Sequence, residues 1–156
     1  MSKVVIIMGS KADLDWANQI SKLLDHFEIS NVSRIASAHK VPLKCYELIK
    51  AYEKENVVFI TIAGMSNALS GFTDAQTHCP VIACPPYSDK FGGGDLFSSV
   101  RMPSGVAPLT VLSPENAALA AAKILGLNNP QIQSKITEYQ NKKRVELEEA
   151  DQALQS

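Results

Sequence analysis

The sequence predicts an α/β protein built on a parallel β-sheet. Short apolar, β-branched runs alternate with stretches of helical spacing along the chain. The first run, Val4 to Met8, is apolar throughout, with no polar alternation, which is how a strand covered on both faces reads. The 156 residues, 46% hydrophobic and 20% charged, have the size and composition of one globular unit.

Val4-Val5-Ile6-Ile7-Met8, closed by Gly9-Ser10, is the first strand. Asp13 to Phe27 follows as an amphipathic helix, because Leu14, Ala17, Ile20, Leu23, Leu24 and Phe27 recur every three or four residues. Val32 to Ala36 is a second, shorter strand. Pro42 to Glu55 returns to helical spacing through Leu43, Tyr46, Ile49, Ala51 and Tyr52, with Pro42 in its first turn. Val57 to Ala63 is a third strand ended by Gly64, and Asn67 to Thr77 a short helix. Pro80 to Cys84 is a fourth strand, stopped by Pro85-Pro86. The segment from Pro85 to Pro108 is rich in Pro, Gly and Ser, with one turn of helix from Asp95 to Val100. A loop this long in a compact fold is usually functional. Leu109 to Leu112 is a fifth strand. Pro114 to Leu125 is a helix capped by Ser113, and Pro130 to Leu154 is a long final helix. Right-handed crossovers turn this order into a three-layer, flavodoxin-like sandwich. Ile132, Ile136, Tyr139, Leu147, Ala150 and Leu154 share a stripe of the last helix, which suits packing on a neighbouring subunit of a homo-oligomer as well as on its own sheet.

Several functions are disfavoured by what the sequence lacks. Fifteen Lys and Arg against sixteen Asp and Glu leave no basic excess for a nucleic acid. The longest apolar runs fall far short of the roughly 20 residues of a membrane helix. Met1-Ser2-Lys3 leads at once into a strand, so no signal peptide is expected. Cys45, Cys79 and Cys84 are odd in number and form no CxxC, which fits reduced thiols and a cytoplasmic location. No His, Cys and Asp cluster has metal-ligand spacing, and neither a P-loop nor GxGxxG is present. No metal and no cofactor is therefore expected.

In an open α/β sheet, ligands bind beyond the carboxyl ends of the strands. Four segments should converge there: Gly9 to Asp13, Ser37 to Lys40, Gly64 to Asn67, and the loop from Pro85 to Gly94. Gly9-Ser10 opens a helix whose free N–H groups and dipole suit a phosphate, although Ser10 could simply cap that helix. Asp13 either complements the dipole or accepts from a ribose diol. His39 lies just past a strand end between Ala38 and Lys40, where it could move a proton near neutral pH. Ser37 and Lys40 could hold an anion beside it. His26 and His78 sit in helix-end contexts and are expected to be structural, and Cys84 reads as a packing thiol. Gly64, Asn67 and Gly71 would let a planar ligand approach the backbone, or only make a strand-to-helix turn. Gly92-Gly93-Gly94-Asp95 reads equally as a flap or a surface loop.

The segments MGSKAD, SAHK, AGMSNALSG, ACPPYSD and SSVRMPSG occur in that order. Together they resemble the aminoimidazole ribonucleotide carboxylase family of purine biosynthesis, from Val4 to about Leu127. The resemblance implies that Ser10, Ser37 and Lys40 bind the 5′-phosphate and Asp13 the ribose hydroxyls, with Gly9, Ala38 and Met65 also among the substrate-binding residues. It implies that Gly64, Ser66 and Asn67 line the base and CO2 pocket, with His39 as the acid–base residue. It implies a homo-oligomer, an octamer, with aminoimidazole ribonucleotide and CO2 as substrates. The family has two branches. Its mutase branch, acting on the N5-carboxylated nucleotide, carries a second histidine where this chain reads Ser66-Asn67-Ala68-Leu69-Ser70-Gly71. The direct carboxylase branch matches better, although it usually has a basic residue at the position of Met65. The expected activity is ATP- and biotin-independent carboxylation at C4. The mutase is the alternative, and a non-catalytic flavodoxin-like nucleotide-binding domain a distant one.

Overall fold

The computed structural model describes residues 3–86 and 88–155; Tyr87 of the ACPPYSD segment lies outside the described residues, as do Met1, Ser2 and Ser156. Among the described residues five parallel strands make one sheet, in the order β2-β1-β3-β4-β5. They are β1 (Lys3–Met8), β2 (Ser30–Ile35), β3 (Val58–Ile62), β4 (Val81–Ala83) and β5 (Leu109–Thr110). The helices are α1 (Leu14–His26), α2 (Pro42–Tyr52), α3 (Ala68–Ala75), α4 (Phe97–Val100), α5 (Pro114–Gly126) and α6 (Pro130–Gln155).

Strand side chains alternate between two cores, as a pleated sheet requires. Val4, Ile6, Met8, Val58, Ile60, Ile62 and Ile82 face α1, α5 and the start of α6. Val5, Ile7, Phe59 and Val81 face α2 and α3. Both faces are thus covered, which is why β1 from Val4 onward and most of β3 are apolar. Thr61 breaks that pattern. Its hydroxyl and those of Ser70 and Thr73 on α3 are buried without a hydrogen-bond partner.

The boundaries shift where the chain is half-exposed. β2 starts at Ser30, two residues before its first apolar residue Val32, because an edge strand needs little hydrophobicity. β5 stops at Thr110, short of the expected Leu112. A 3-10 turn over Lys11–Asp13 precedes α1, and another over Glu53–Glu55 follows α2. Ser113 stands at the N-cap position of α5, but its side chain makes no capping hydrogen bond. His26 packs its ring against Phe27 and Tyr139, the structural role expected of it. Past Tyr139 and Gln140, α6 is exposed all round, including Val145, Leu147 and Leu154. No helix among the described residues is long and apolar enough to cross a membrane.

Candidate active site

The strand order reverses at β1, which has β2 on one side and β3 on the other. Chains leaving β1 and β3 therefore diverge and open a crevice. A cleft of about 1080 Å³ lies there, lined by the ends of β1, β2, β3 and β4. Gly9, Ser10, Asp13, Ser37, Ala38, His39, Lys40, Gly64, Met65 and Ser66 all line it. Sequence reasoning placed each of them at a strand end, and the parallel sheet brings those ends together.

Two corrections come with the geometry. Asn67 does not line the cleft and is only 4% exposed. Its Oδ1 accepts from the Ser70 N–H at 3.2 Å and caps α3, while its Nδ2 donates to Ser99 Oγ at 2.9 Å. Its own N–H donates to Ser98 Oγ at 2.9 Å. Asn67 is thus the bolt between the turn after β3 and α4. The second correction concerns the donors after β1. Gly9 N–H donates to the Ile62 carbonyl at 2.8 Å. Ser10 N–H donates to Asp13 Oδ2 at 3.0 Å, and Ala12 N–H donates to Ser10 Oγ at 3.2 Å. This is a capping box, so the N–H groups expected to be free are largely engaged by the turn's own side chains. Ser10 and Asp13 hold one another in place at the cleft wall.

The turn after β2 is built differently. Ser37 Oγ accepts from the Lys40 N–H at 3.2 Å, and the Ser37 carbonyl accepts from the Val41 N–H at 2.9 Å. This winds residues 37–41 tightly and leaves His39 and Lys40 exposed on the cleft rim. Neither side chain has a protein hydrogen-bond partner among the described residues, so both are available to a ligand.

Gly64 is glycine for packing. A Cβ there would meet the Pro86 carbonyl oxygen at 3.1 Å, so the ends of β3 and β4 touch through this missing methyl. Gly71 is explained in the same way, since a Cβ would meet Met102 Sδ at 3.0 Å; it serves helix-to-loop packing and not ligand approach.

The far wall was only partly legible. Pro86, Ser88, Lys90, Phe91, Gly94, Asp95 and Ser98 line it, from the segment singled out for its length and composition. Ser88 Oγ donates to Asp95 Oδ2 at 2.9 Å and staples the loop at its base. Ser98 Oγ lies 2.8 Å from the Asp95 carbonyl and 3.3 Å from the Met65 carbonyl. Cys84 lies beneath, buried, accepting from Trp16 Nε1 at 3.2 Å, and burial pushes its thiol up to about 11. That makes it the packing thiol expected.

The comparisons with known proteins agree with this architecture. A family model described as AIR carboxylase matches residues 3–146. The phosphoribosylaminoimidazole carboxylase of Archaeoglobus fulgidus is 61% identical over 152 residues, 97% of this chain and 84% of that one. The protein of the same name from Treponema denticola is 44% identical over 153 residues, covering 97% and 96%. The bifunctional phosphoribosylaminoimidazole carboxylase/phosphoribosylaminoimidazole succinocarboxamide synthetase of Homo sapiens is 38% identical over 154 residues, 97% of this chain but 36% of that longer protein. A solved Treponema denticola PurE superposes with a TM-score of 0.97 at 42% identity over the whole of both chains. With a family model spanning nearly the whole chain and the cleft built from the segments that first suggested it, the chain belongs to the AIR carboxylase family of purine biosynthesis.

Proposed function

We propose that the cleft binds 5-aminoimidazole ribonucleotide and carboxylates it at C4 with CO2, using neither ATP nor biotin. The observation that carries this reading is that one imidazole, His39, lines the cleft among the described residues, beside a lysine and a serine able to hold an anion. The single histidine favours the direct carboxylase over the mutase, whose branch resembles this chain except for a second histidine after β3. The relatives named as carboxylases support the same choice.

In this reading Ser37 and Lys40 bind the 5′-phosphate with Ser10, and Asp13 accepts from the ribose hydroxyls. The base lies against Gly64, Met65 and Ser66. The aminoimidazole is an enamine-like ring, so its C4 is nucleophilic and attacks the carbon of CO2. The C4–C bond forms, one C=O π bond breaks, and C4 becomes tetrahedral, bearing both hydrogen and carboxylate. His39 takes the C4 proton, and the electrons of that C–H bond restore the aromatic ring. Holding CO2 over C4 supplies most of the acceleration, because it removes the entropy of a bimolecular encounter.

A second reading keeps the cleft and His39 but starts from the N5-carboxylated nucleotide. Met65 favours it, since no cation stands at that position to receive a carboxylate. A paired assay without ATP separates the two. One arm offers aminoimidazole ribonucleotide and CO2, the other the N5-carboxylated nucleotide in CO2-depleted buffer. Product in the first arm alone is expected; product in the second alone would establish a mutase.

We further propose a homo-oligomer, an octamer, in which the exposed distal half of α6 packs on a neighbouring subunit. Val145, Leu147 and Leu154 are large apolar side chains on that half that the single chain leaves exposed. Light scattering at micromolar concentration tests this, and a monomeric mass would refute it.

A further inference from the structure

Among the described residues, four other than glycine have positive φ: Glu28, Asn56, Met65 and Phe91. Glu28 and Asn56 lie just after helical segments, where a left-handed residue commonly ends the helix. Met65 (φ 58°) and Phe91 (φ 52°) have no such explanation. Both are bulky and apolar, both line the same cleft, and they are 80% and 93% exposed. A left-handed backbone disfavours such side chains, and water disfavours their surface. The two costs coincide twice, at two places that face one ligand site. Strain and exposure of this kind at a cleft are the mark of a side chain held out for a ligand.

We propose that Met65 and Phe91 are the two jaws of an apolar clamp on the planar base of the nucleotide. This rests on the reading of the cleft as an aminoimidazole ribonucleotide site. The jaws differ in mounting. The Met65 carbonyl lies 3.3 Å from Ser98 Oγ, and the turn that carries Met65 is bolted to α4 through Asn67. Met65 is therefore the fixed jaw. Phe91 precedes Gly92 and Gly93, also left-handed, around which a Cβ would meet nothing within 4 Å at Gly92 and only the Ser88 carbonyl at 3.9 Å at Gly93. Below it the Ser88–Asp95 hydrogen bond keeps the loop's ends together. Phe91 is the moving jaw, with open space around its hinge. Closed on a flat heterocycle, an aromatic ring on one face and a thioether on the other exclude water from the parts of the ring away from C4, where one face stays open to CO2. The clamp selects for a planar base and does nothing for the sugar phosphate.

Calorimetric titration with two ligands tests this. Aminoimidazole ribonucleotide carries the base, while ribose 5-phosphate has the same sugar and phosphate without it. Wild type is expected to bind the nucleotide more tightly than the sugar phosphate. Met65→Ala and Phe91→Ala should each lose about tenfold in nucleotide affinity. Ribose 5-phosphate affinity should not change, and the double variant should lose less than the product of the singles, because one jaw alone holds little. Phe91→Asn, which suits a left-handed backbone, should lose the same affinity with an equal or higher Tm. Unchanged nucleotide affinity in the variants, or equal losses on both ligands, would overturn the clamp while leaving the site standing. A wild type that fails to prefer the nucleotide would overturn the site and the clamp together.

Discussion

Replacing Asn67 by alanine decides whether this residue holds the fold or the substrate. The change removes the acceptor for the Ser70 N–H, and a lost N-cap costs about 1 kcal/mol. It also removes the donor to Ser99 Oγ, on a residue that is almost fully buried, and an orphaned buried acceptor costs about 1–3 kcal/mol. Together the loss is about 3 kcal/mol, which for a chain of this length lowers Tm by roughly 6–12 °C. Asn67→Ser keeps an oxygen able to cap α3 but is too short to reach Ser99, so it should recover about 1 kcal/mol. The assay is thermal and urea unfolding of both variants beside wild type at one fixed protein concentration, with nucleotide affinity measured below the transition. A buried bolt predicts a large fall in stability and, in the fraction still folded, only a modest fall in affinity. An Asn67→Ala protein with unchanged Tm and lost nucleotide binding would refute the reasoning and return Asn67 to the substrate.

His39→Asn should reduce turnover by about 10²–10⁴-fold while the nucleotide dissociation constant stays within a few-fold of wild type, in steady-state kinetics paired with calorimetry. Lys40→Met should act oppositely, weakening the nucleotide by about 10–100-fold, the worth of a charged hydrogen bond; an unchanged dissociation constant would remove Lys40 from the phosphate site. Burial pushes the Cys45 and Cys84 thiols up to about 11 from an ordinary value near 9. The folded state therefore holds their protons more tightly than the unfolded chain does. Their contribution to stability is complete below pH 9 and is lost as pH rises towards 11. Each thiol should lower unfolding free energy by about 1.4 kcal/mol per pH unit across that window, read from urea midpoints, with native thiols slow to react with a disulfide reagent at pH 8.

The parts of the fold that were legible in the sequence are those where burial and pattern coincide. β1 and β3 are covered on both faces, so their runs are apolar and their ends mark the cleft. β2 begins earlier than its hydrophobicity suggests because it lies at an edge, where backbone pairing and not burial defines the strand. The near wall of the site followed from the rule that ligands sit at strand ends, and His39, Ser37 and Lys40 came with it. Asn67 misled because its neighbours Gly64, Met65 and Ser66 do line the cleft, and one residue further round the turn points inward to α4. Lys90, Phe91 and Ser98 were missed for a different reason. Which side chains of a long loop return to the cleft depends on left-handed residues at 91, 92 and 93, and a phenylalanine there carries no local signal of that conformation.

The three unpartnered hydroxyls have a dynamic consequence. Thr61, Ser70 and Thr73 sit on β3 and α3, and each such group weakens the packing of an eight-residue helix that also contains Gly71. The free energy needed to lift α3 off the sheet is therefore well below that needed to separate β1 from β3. Amide hydrogens along α3 should exchange with solvent by a local opening, long before those of the central strands, which wait for global unfolding. Since α3 begins at the turn that carries Met65, its local opening reaches the floor of the site, and a bound nucleotide would be felt there as slower exchange.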